Sequence, residues 1–457
     1  ACCVLAANGI KCWLFDSLRP TPELSYAIRK LNCIAGINIT ASHNPKEYNG
    51  YKAYWSDGIQ LSPEQAKVVF DTMSKMDVFE DVKVVSFDQA QEWITVLDED
   101  FDEFYMQQVL AQTIRPDVIR QQCDLSIVYT PFHGAGLRLV PEVLARAGFE
   151  NVHPVEQQMI PDGTFPTVKS PNPENKEGFQ LAIELAEKLG SDLIIGTDPD
   201  SDRMGIVVRK SDGEYVAVTG NQTGVILLQY ILSSYAQLGS MPKNPLVVKT
   251  IVTSELASRI CERYGAQIVN VLTGFKFIGE QIEQCVDTQK NTFVMGYEES
   301  YGYLVGTYAR DKDGVVASLL IAEAAAYYRS RGMTLWDALC EIYAEYGYHM
   351  EQTVNLYMEG LDGKEKMKKL MAQLRDHAPA ELGGIAVKEV RDYSKGILGL
   401  PKSDVLYYVL QDQSVVVVRP SGTEPKVKIY IMVSAKDEQA AQQKVNLLGQ
   451  DLKQKYL

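Results

Sequence analysis

The chain has 457 residues, a formal net charge of −14 and 46% hydrophobic residues. Because single cores rarely grow past about 300 residues, we expect several domains. The acidic balance argues against nucleic acid or an anionic membrane as a partner, since both bind basic surfaces. The eight cysteines are scattered without a C-x-x-C pair, which is typical of a reduced, cytoplasmic protein without structural zinc. The longest apolar stretch, residues 314–322, is too short to span a bilayer.

The chain opens on residues 1–9, which resemble the end of a helix with a glycine stop at Gly9. Residues 10–15 and 34–40 have the composition of strands. Ser62 as N-cap, with Pro63 next to it, predicts a helix that runs to residue 73. No initiator Met and no earlier strand lead into the first helix, so we expect the first domain to be truncated at its N-terminus.

The second strand ends at the loop Thr40-Ala-Ser-His-Asn-Pro45. Ser42 lies on a sharp strand-to-turn connection, where a nucleophilic hydroxyl is exposed, and His43 and Lys52 are candidates for proton transfer. The loop lacks the G-x-S-x-G pattern of a hydrolase elbow, which argues against a hydrolase triad. The alternative is an ordinary Asn-Pro turn with a serine cap.

The next region alternates strands and helices, which is typical of an α/β domain. Strands are predicted at residues 125–130, 193–196 and 204–208, and helices at 136–147 and 179–189. His133 follows the first of these strands. A histidine at a strand end more often satisfies backbone groups than performs catalysis, so we expect a structural role for it.

The loop Asp198-Pro-Asp-Ser-Asp-Arg203 joins the last two of these strands. Its alternate carboxylates can converge on one hard cation with open coordination sites, which suits Mg²⁺ next to a phosphate. An EF-hand is excluded, because arginines stand at its sixth and twelfth positions. Arg203 beside the acids favours an anionic ligand. The alternative is an acidic turn whose charges are solvated.

A third α/β region follows, with strands at 246–251, 267–272 and 293–297 and helices at 254–264 and 315–329. The last of these helices is mostly apolar, so we expect it to be buried. The loop Glu298-Glu-Ser-Tyr-Gly302 mixes acids and hydroxyls, which suits the hydroxyl groups of a sugar, although the loop taken alone favours an exposed turn. Lys312 follows closely and offers a contact to an anion.

The last region is α+β. We predict helices at 362–377 and 437–455 around antiparallel strands at 405–410, 414–418 and 427–433. In the loop Arg419-Pro-Ser-Gly-Thr-Glu-Pro-Lys426, Arg419 provides a bidentate fork, Ser421 and Thr423 provide hydroxyls, and Gly422 lets backbone N–H groups approach an oxyanion. The spacing is not that of a Walker A loop, and the alternative is a simple hairpin turn.

Polar linkers and shifts in composition divide the chain into four domains. They are residues 1–117 (partial, with the Ser42 loop), 118–218 (with the acidic loop), 219–346 (with the Glu298 loop) and 347–457 (with the Arg419 loop).

These unrelated loops, in this order, resemble the α-D-phosphohexomutase superfamily over essentially the whole chain. The Glu-Glu-Ser-Tyr-Gly form and the stretch Thr273-Gly-Phe-Lys-Phe-Ile-Gly279 are most similar to the bacterial phosphoglucomutase group. The resemblance implies four domains around a central cleft, three of them α/β with mixed sheets and the fourth α+β. Family members carry a further N-terminal Gly-Thr-Ala-Gly-Leu-Arg-type loop, and this sequence lacks it.

The resemblance also implies roles for individual residues. Ser42 would carry the phosphoryl group and, with the acidic loop, contact Mg²⁺, while His43 and Lys52 would assist proton transfer. The remaining residues form three sets. The metal ligands would be Ser42, Asp198, Asp200 and Asp202; the sugar contacts Arg203, Thr273, Gly274, Glu298, Ser300 and Lys312; the phosphate contacts Arg419, Ser421, Gly422 and Thr423.

The implied activity is that of an isomerase in glucose metabolism that interconverts glucose 1-phosphate and glucose 6-phosphate through phosphoserine and glucose 1,6-bisphosphate. A cytoplasmic monomer or homodimer acting on a hexose monophosphate is expected. Three alternatives stay open: a mutase for mannose or pentose phosphates, a truncated sugar-phosphate-binding protein without turnover, and a phosphatase that uses the acidic loop as nucleophile.

Overall fold

The structure is a computed structural model that describes residues 1–358, 362–421 and 426–456. Within these ranges the strands form five sheets. We divide the elements into four successive units, the first with two small sheets and each of the others with one. In the same ranges no helix is both long enough and apolar enough to cross a membrane.

Unit one consists of α1 (Cys2–Ala7), β1 (Cys12–Phe15), α2 (Thr21–Lys30), β2 (Ala35–Ile39), β3 (Tyr51–Trp55), α3 (Pro63–Met73), α4 (Phe87–Ala90), β4 (Ile94–Leu97) and α5 (Glu99–Leu110). β1 pairs in parallel with β4, and β2 pairs antiparallel with β3. The second register places Asn38 opposite Lys52, so both side chains lie near the end of the strand that leads to Ser42.

The start of α3 is confirmed. Ser62 Oγ accepts a hydrogen bond from the N–H of Gln65, and the Gln65 side chain accepts one from the N–H of Ser62. This reciprocal pair satisfies two N–H groups that a helix start leaves without partners.

Unit two consists of α6 (Pro116–Gln121), β5 (Ile127–Thr130), α7 (Gly136–Ala147), β6 (Val152–Pro154), α8 (Gln180–Leu189), β7 (Leu193–Thr197), β8 (Met204–Arg209) and β9 (Tyr215–Val218). Its mixed sheet has the order β6-β5-β7-β8-β9. His133, at the end of β5, bonds through its ring nitrogens to the Ile160 carbonyl and to Thr167 Oγ1, each at 2.8 Å. Both ring nitrogens thus hold the segment that contains Ile160 and Thr167 against the end of β5.

Unit three consists of α9 (Gly220–Leu238), β10 (Pro245–Thr250), α10 (Leu256–Tyr264), β11 (Gln267–Val271), α11 (Phe275–Thr288), β12 (Thr292–Glu298), β13 (Gly302–Val305), α12 (Gly314–Ser330) and α13 (Leu335–Tyr346). The sheet order is β11-β10-β12-β13, and only β13 is antiparallel to its neighbour. The expected burial of α12 is confirmed, since every residue from Gly314 to Tyr328 is buried. α12 packs against α5, α6, α7, α9 and α13, and so joins the first three units.

Unit four consists of β14 (Tyr348–Tyr357), α14 (Gly363–Asp376), β15 (Glu381–Leu382), β16 (Ile385–Asp392), β17 (Leu406–Leu410), β18 (Val415–Pro420), β19 (Lys426–Ala435) and α15 (Glu438–Tyr456). The antiparallel sheet has the order β14-β19-β18-β17-β16-β15. One face forms a core of its own with α14 and α15. On the other face Val417, Tyr430 and Met432 join the core of the preceding units.

The elements predicted from the sequence are present, with ends within two residues of the observed ones. Sequence reasoning missed several others, including α2 and α9. α9 is buried around most of its circumference, so it has no amphipathic stripe to reveal it. Prolines precede and enter α2, and such a stretch is typical of a turn.

The N-terminus of α12 depends on Asp313, which is fully buried. Its Oδ1 accepts hydrogen bonds from the N–H groups of Val315 and Val316 at 2.8 and 3.0 Å. Its Oδ2 accepts the hydroxyls of Tyr105 at 2.8 Å and Tyr308 at 2.5 Å. One carboxylate therefore caps the central helix and ties α5 of unit one to it.

We expect Asp313→Ala to lower the free energy of unfolding by about 2–4 kcal/mol, because it leaves buried donors without an acceptor. Thermal unfolding followed by circular dichroism measures the loss. Asp287→Ala, at an exposed position near the end of α11, is the control. Equal melting temperatures for the two variants would contradict the capping role.

Candidate active site

Ser42 lies in the loop that follows β2, in a strained backbone conformation with φ of 50°. Its N–H donates to Thr40 Oγ1 at 2.8 Å, which fixes the turn. A Cβ at Gly50 would overlap the Thr40 carbonyl, so only glycine permits this approach of the two strand ends. The serine hydroxyl is thereby directed out of unit one towards unit two.

The acidic loop between β7 and β8 lies directly opposite. Asp198 and Asp202 are fully buried and Asp200 is 4% exposed, which excludes a solvated acidic turn. One carboxylate oxygen from each lies within 4.8 Å of the others. Ser42 Oγ donates to Asp198 Oδ2 at 2.8 Å, so the predicted nucleophile and the predicted metal ligands meet.

The carboxylate oxygens of the triad differ in whether they have hydrogen-bond partners. Asp198 Oδ1 accepts the N–H of Arg203 at 2.9 Å. Within the described residues, Asp200 Oδ1 and Asp202 Oδ1 are buried and have no hydrogen-bond partner. Buried charged oxygens without partners are costly, and a bound cation satisfies them. The residues present therefore fit a divalent cation held by the three aspartates.

Two lysines neutralise the outer oxygens of this triad. Lys52 Nζ lies 2.6 Å from Asp200 Oδ2 and 2.8 Å from Asp202 Oδ2, and Lys312 Nζ lies 2.8 Å from Asp202 Oδ2. Burial opposes the charge on Lys52, but the two carboxylates outweigh it and raise its pKa well above the usual range. Lys52 is thus held as a cation beside the two carboxylates.

The pKa values of Asp198 and Asp202 are shifted in opposite directions by this environment. Burial, followed by the charges of Asp200 and Asp202, raises the pKa of Asp198 well above its usual range. Burial acts in the same direction on Asp202, but Lys312 and Lys52 outweigh it and hold its pKa below that range. A cation at the triad would relieve the repulsion that Asp198 experiences.

His43 Nδ1 lies 3.2 Å from Ser42 Oγ. Burial, and then the positive charge of Arg203, lowers the pKa of His43 to about 3. The imidazole is therefore neutral near pH 7, with a ring nitrogen within hydrogen-bond distance of the serine oxygen.

The predicted sugar contacts come from units two and three. Gly274, just before α11, donates its N–H to Glu298 Oε1 at 2.9 Å, so the Thr273 loop and the end of β12 are joined. Burial raises the pKa of Glu298. Arg203 forms an ion pair with Glu174 at 3.3 Å. Ser300 and Thr273 are half-buried. Glu174 was not singled out from the sequence.

Arg419 lies in β18 and Ser421 directly follows that strand, whereas Gly422 and Thr423 fall outside the described residues. The register sets Arg419 opposite Lys428 on β19. Burial, then the charges of Lys426 and Arg419, lowers the pKa of Lys428. Sequence reasoning missed Lys428. The alternation of the strand, which puts 426, 428 and 430 on one face, was the signal that could have found it.

The acidic loop is held by three parts of the chain at once. The carbonyls of Pro199, Asp200 and Ser201 accept the N–H groups of Ala135 at 2.7 Å, Thr21 at 2.8 Å and Gly314 at 3.0 Å, respectively. These donors belong to units two, one and three. The position of the three carboxylates therefore depends on the docking of all three units.

The structure has two notable pockets near these domains. A groove of about 360 Å³ opens beside Ser42, between the residue 40–49 loop and residues 161–165. A larger cleft of about 770 Å³ lies between units three and four, lined by Arg259, Arg391 and Glu351 among others, and contains none of the predicted site residues.

Comparison of the chain with known proteins identifies its family. Models of the phosphoglucomutase/phosphomannomutase family match successive parts of the chain: α/β/α domain I at residues 1–78, domain II at 103–213, domain III at 219–346 and the C-terminal domain at 363–450. The chain belongs to the phosphoglucomutase/phosphomannomutase family.

A relative of high coverage supports this assignment, and solved structures share the fold. The phosphoglucomutase of Staphylococcus aureus strain MRSA252 is 38% identical over 456 residues, which cover 97% of this chain and 81% of the relative. Parafusin (phosphoglucomutase) from Paramecium superimposes with a TM-score of 0.71 at 19% identity, covering 97% of this chain and 82% of that one. An N-acetylphosphoglucosamine mutase of Aspergillus fumigatus, solved with GlcNAc-6P and magnesium, gives 0.57 at 14% identity, covering 100% and 93%.

Family membership confirms the superfamily and the four-domain fold class predicted from the sequence. It also confirms the predicted enzyme class: the chain is a phosphoglucomutase-type sugar-phosphate mutase, an isomerase. The buried acidic triad of this mutase indicates a metal ion.

We expect Mg²⁺ to raise the melting temperature of this mutase above its value in EDTA. A ligand that binds only the folded state at a hundred times its Kd stabilises it by about 2.7 kcal/mol. Asp200→Asn and Asp202→Asn should reduce the shift, whereas Asp212→Asn, on an exposed turn of the same unit, should keep it. Equal shifts in all the variants would show that the ion binds elsewhere.

Proposed function

We propose that this mutase interconverts glucose 1-phosphate and glucose 6-phosphate, with Ser42 as the phosphoryl carrier and glucose 1,6-bisphosphate as the intermediate. One observation carries the proposal: Ser42 Oγ lies 2.8 Å from Asp198 Oδ2, at the edge of a triad in which two buried carboxylate oxygens lack partners among the described residues. A hydroxyl beside a cation site is the arrangement that phosphoryl transfer needs.

The residues that would hold Mg²⁺ are Asp198, Asp200 and Asp202, together with the phosphoryl group on Ser42. When bound, the ion supplies positive charge to the reacting phosphate. Lys52 and Lys312 contribute fixed cations to the same place, since both are held ionised by the aspartates.

In the first half-reaction, the free hydroxyl oxygen of a hexose monophosphate attacks the phosphorus on Ser42. The new sugar O–P bond forms while the bond between Ser42 Oγ and phosphorus breaks. The attacking hydroxyl loses a proton and Ser42 Oγ gains one, and we assign the proton transfer at Ser42 Oγ to His43, whose Nδ1 lies 3.2 Å from that oxygen. Lys52 remains protonated and balances charge on the moving group.

In the second half-reaction, the bisphosphate presents its other phosphoryl group to Ser42 and the steps reverse. The non-reacting phosphate must be held in both halves. Arg419 and Lys428 are neighbours on adjacent strands, and with Lys426 they crowd positive charge onto one face of the unit-four sheet. An anion there relieves this repulsion whichever end of the sugar carries it.

Sugar recognition is assigned to Thr273, Gly274, Glu298, Ser300, Lys312 and Arg203. Glu298 can accept hydrogen bonds from sugar hydroxyls, and Ser300 can both donate and accept them. Arg203 can form an ion pair with a phosphate. Glucose is proposed because the 38% identical relative is a phosphoglucomutase. A panel of glucose, mannose and pentose 1-phosphates tests the choice, and a faster reaction with mannose or pentose phosphate would replace it.

We expect Ser42→Ala to abolish turnover and to lose the added mass of one phosphoryl group on the loop peptide. The substitution removes the Ser42 hydroxyl, which donates to the triad at Asp198 Oδ2. Intact-protein and peptide mass spectrometry, together with a coupled glucose 6-phosphate dehydrogenase assay, provide the measurements. Ser56→Ala, at an exposed turn of the same unit, is the control.

Turnover near the wild-type rate in Ser42→Ala would exclude Ser42 as the carrier. The same assays separate the other activities: steady release of inorganic phosphate marks a phosphatase, and binding of glucose 1-phosphate without product marks a protein that only binds it.

We expect Arg419→Ala to raise KM for glucose 1-phosphate by about ten- to a hundredfold, since charge-assisted hydrogen bonds contribute about 1.5–3 kcal/mol. Lys428→Ala should act in the same direction with a smaller effect. Arg419→Lys should recover part of the loss, because a point charge cannot replace a bidentate fork.

The Arg419 and Lys428 variants should also depend more strongly on added glucose 1,6-bisphosphate, because the intermediate escapes more often. Lys436→Ala, with a largely exposed side chain just beyond β19, is the control. Unchanged KM values in both Arg419→Ala and Lys428→Ala would place the phosphate site elsewhere.

A further inference from the structure

Thr21, the first residue of α2, contacts the acidic loop twice. Its N–H donates to the Asp200 carbonyl at 2.8 Å, and its Oγ1 donates to Asp200 Oδ2 at 3.0 Å. Thr21 is fully buried, and neither family-based roles nor sequence patterns singled it out. It is the point where unit one reaches the backbone and the side chain of a predicted metal ligand together.

Asn38 sets the direction of the Thr21 hydroxyl. Asn38 Nδ2 donates to Thr21 Oγ1 at 2.7 Å. Because that oxygen already accepts a hydrogen bond from Asn38, its single proton is directed to Asp200 Oδ2. Asn38, Thr21 and Asp200 thus form a chain of hydrogen bonds in one direction. Asn38 lies in the strand that leads to Ser42, across from Lys52.

This chain determines which oxygen of Asp200 remains available. Thr21 and Lys52 both bind Oδ2, and Oδ1 is left buried and without a partner in the described part of the chain. Lys52 alone is a poor orienting group, since its ammonium is shared with Asp202 and lies on a flexible stem. Thr21 is short, β-branched and anchored at a helix start, so its hydroxyl has little freedom.

We infer that Thr21 is a positioning residue which, oriented by Asn38, rotates the Asp200 carboxylate so that Oδ1 faces the metal ion. The inference rests on the proposed role of the aspartate triad as the cation site. Groups that hold the outer oxygen of a metal ligand typically affect metal affinity about 10- to 100-fold when they are removed. The arrangement also links the metal ligand to the strand that carries the Ser42 loop.

The test is the affinity of the full chain for Mn²⁺, measured by electron paramagnetic resonance as the loss of free-ion signal. Thr21→Val keeps the shape and the backbone hydrogen bond but removes the hydroxyl, and we expect about 10- to 100-fold weaker Mn²⁺ binding. Thr21→Ser restores the hydroxyl and should bind Mn²⁺ within about threefold of wild type. At saturating Mg²⁺, KM for glucose 1-phosphate should be unchanged in Thr21→Val.

Ser25→Ala is the matched control, because Ser25 is also fully buried in α2. Its hydroxyl donates to the Gly58 carbonyl at 2.7 Å and accepts the N–H of Arg310 at 2.9 Å, away from the acidic loop. It should lower the melting temperature without changing Mn²⁺ affinity. A purely structural role for Thr21 would give the same pattern in Thr21→Val and would overturn the inference.

Asn38→Ala keeps the inference testable if Thr21→Val does not fold. It frees the hydroxyl to rotate, and we expect weaker Mn²⁺ binding by a smaller factor than in Thr21→Val. Unchanged affinity in Asn38→Ala would remove Asn38 from the chain of hydrogen bonds and overturn the inference as stated. If the wild-type chain itself binds no Mn²⁺, the proposed cation site fails, and that outcome is distinct from equal binding in wild type and Thr21→Val.

Discussion

The rest of the site depends on one short stretch of backbone. The carbonyls of Pro199, Asp200 and Ser201 are each bound by an N–H group from a different unit. The close approach of the chain at Gly314 is possible only without a side chain, since a Cβ there would lie 2.7 Å from the Ser201 carbonyl oxygen. Because the backbone is held on three sides, the aspartate side chains are fixed relative to Ser42, to Lys52 and to Lys312. The geometry of the candidate cation site therefore depends on how units one, two and three dock.

Electrostatics explains why this assembly is stable in an acidic protein. Three buried carboxylates would repel one another, but Lys52 from unit one and Lys312 from unit three bind the outer oxygens of Asp200 and Asp202. Positive charge is also crowded on the unit-four sheet face, where the charges of Lys426 and Arg419 lower the pKa of Lys428. The acidic triad is thus only partly neutralised within the protein, whereas the sheet face is the proposed site of an anion.

The sequence was most informative where function is carried by a short contiguous loop. The Ser42 loop and the acidic loop were predicted from residue types and spacing, and the structure brings them within 2.8 Å of each other. Thr21 and Asn38 were missed because each is an ordinary residue whose importance lies in a contact across units. Lys428 was missed because its pairing with Arg419 is a matter of strand register. The burial of α9 on most sides likewise hid a helix of 19 residues from a search for amphipathic stripes.

By itself, the amino-acid sequence determined part of the succession of strands and helices, the presence of the four chemical loops and, through their order, the family. These are local properties, set by side-chain type, periodicity and turn chemistry over a few residues. Only the tertiary structure decided which oxygen of each aspartate is free, which lysine neutralises which acid, and that Thr21 reaches Asp200 across 179 positions of chain. Those outcomes depend on how units dock, and docking is governed by burial and hydrogen-bond geometry between segments that share no pattern in the sequence.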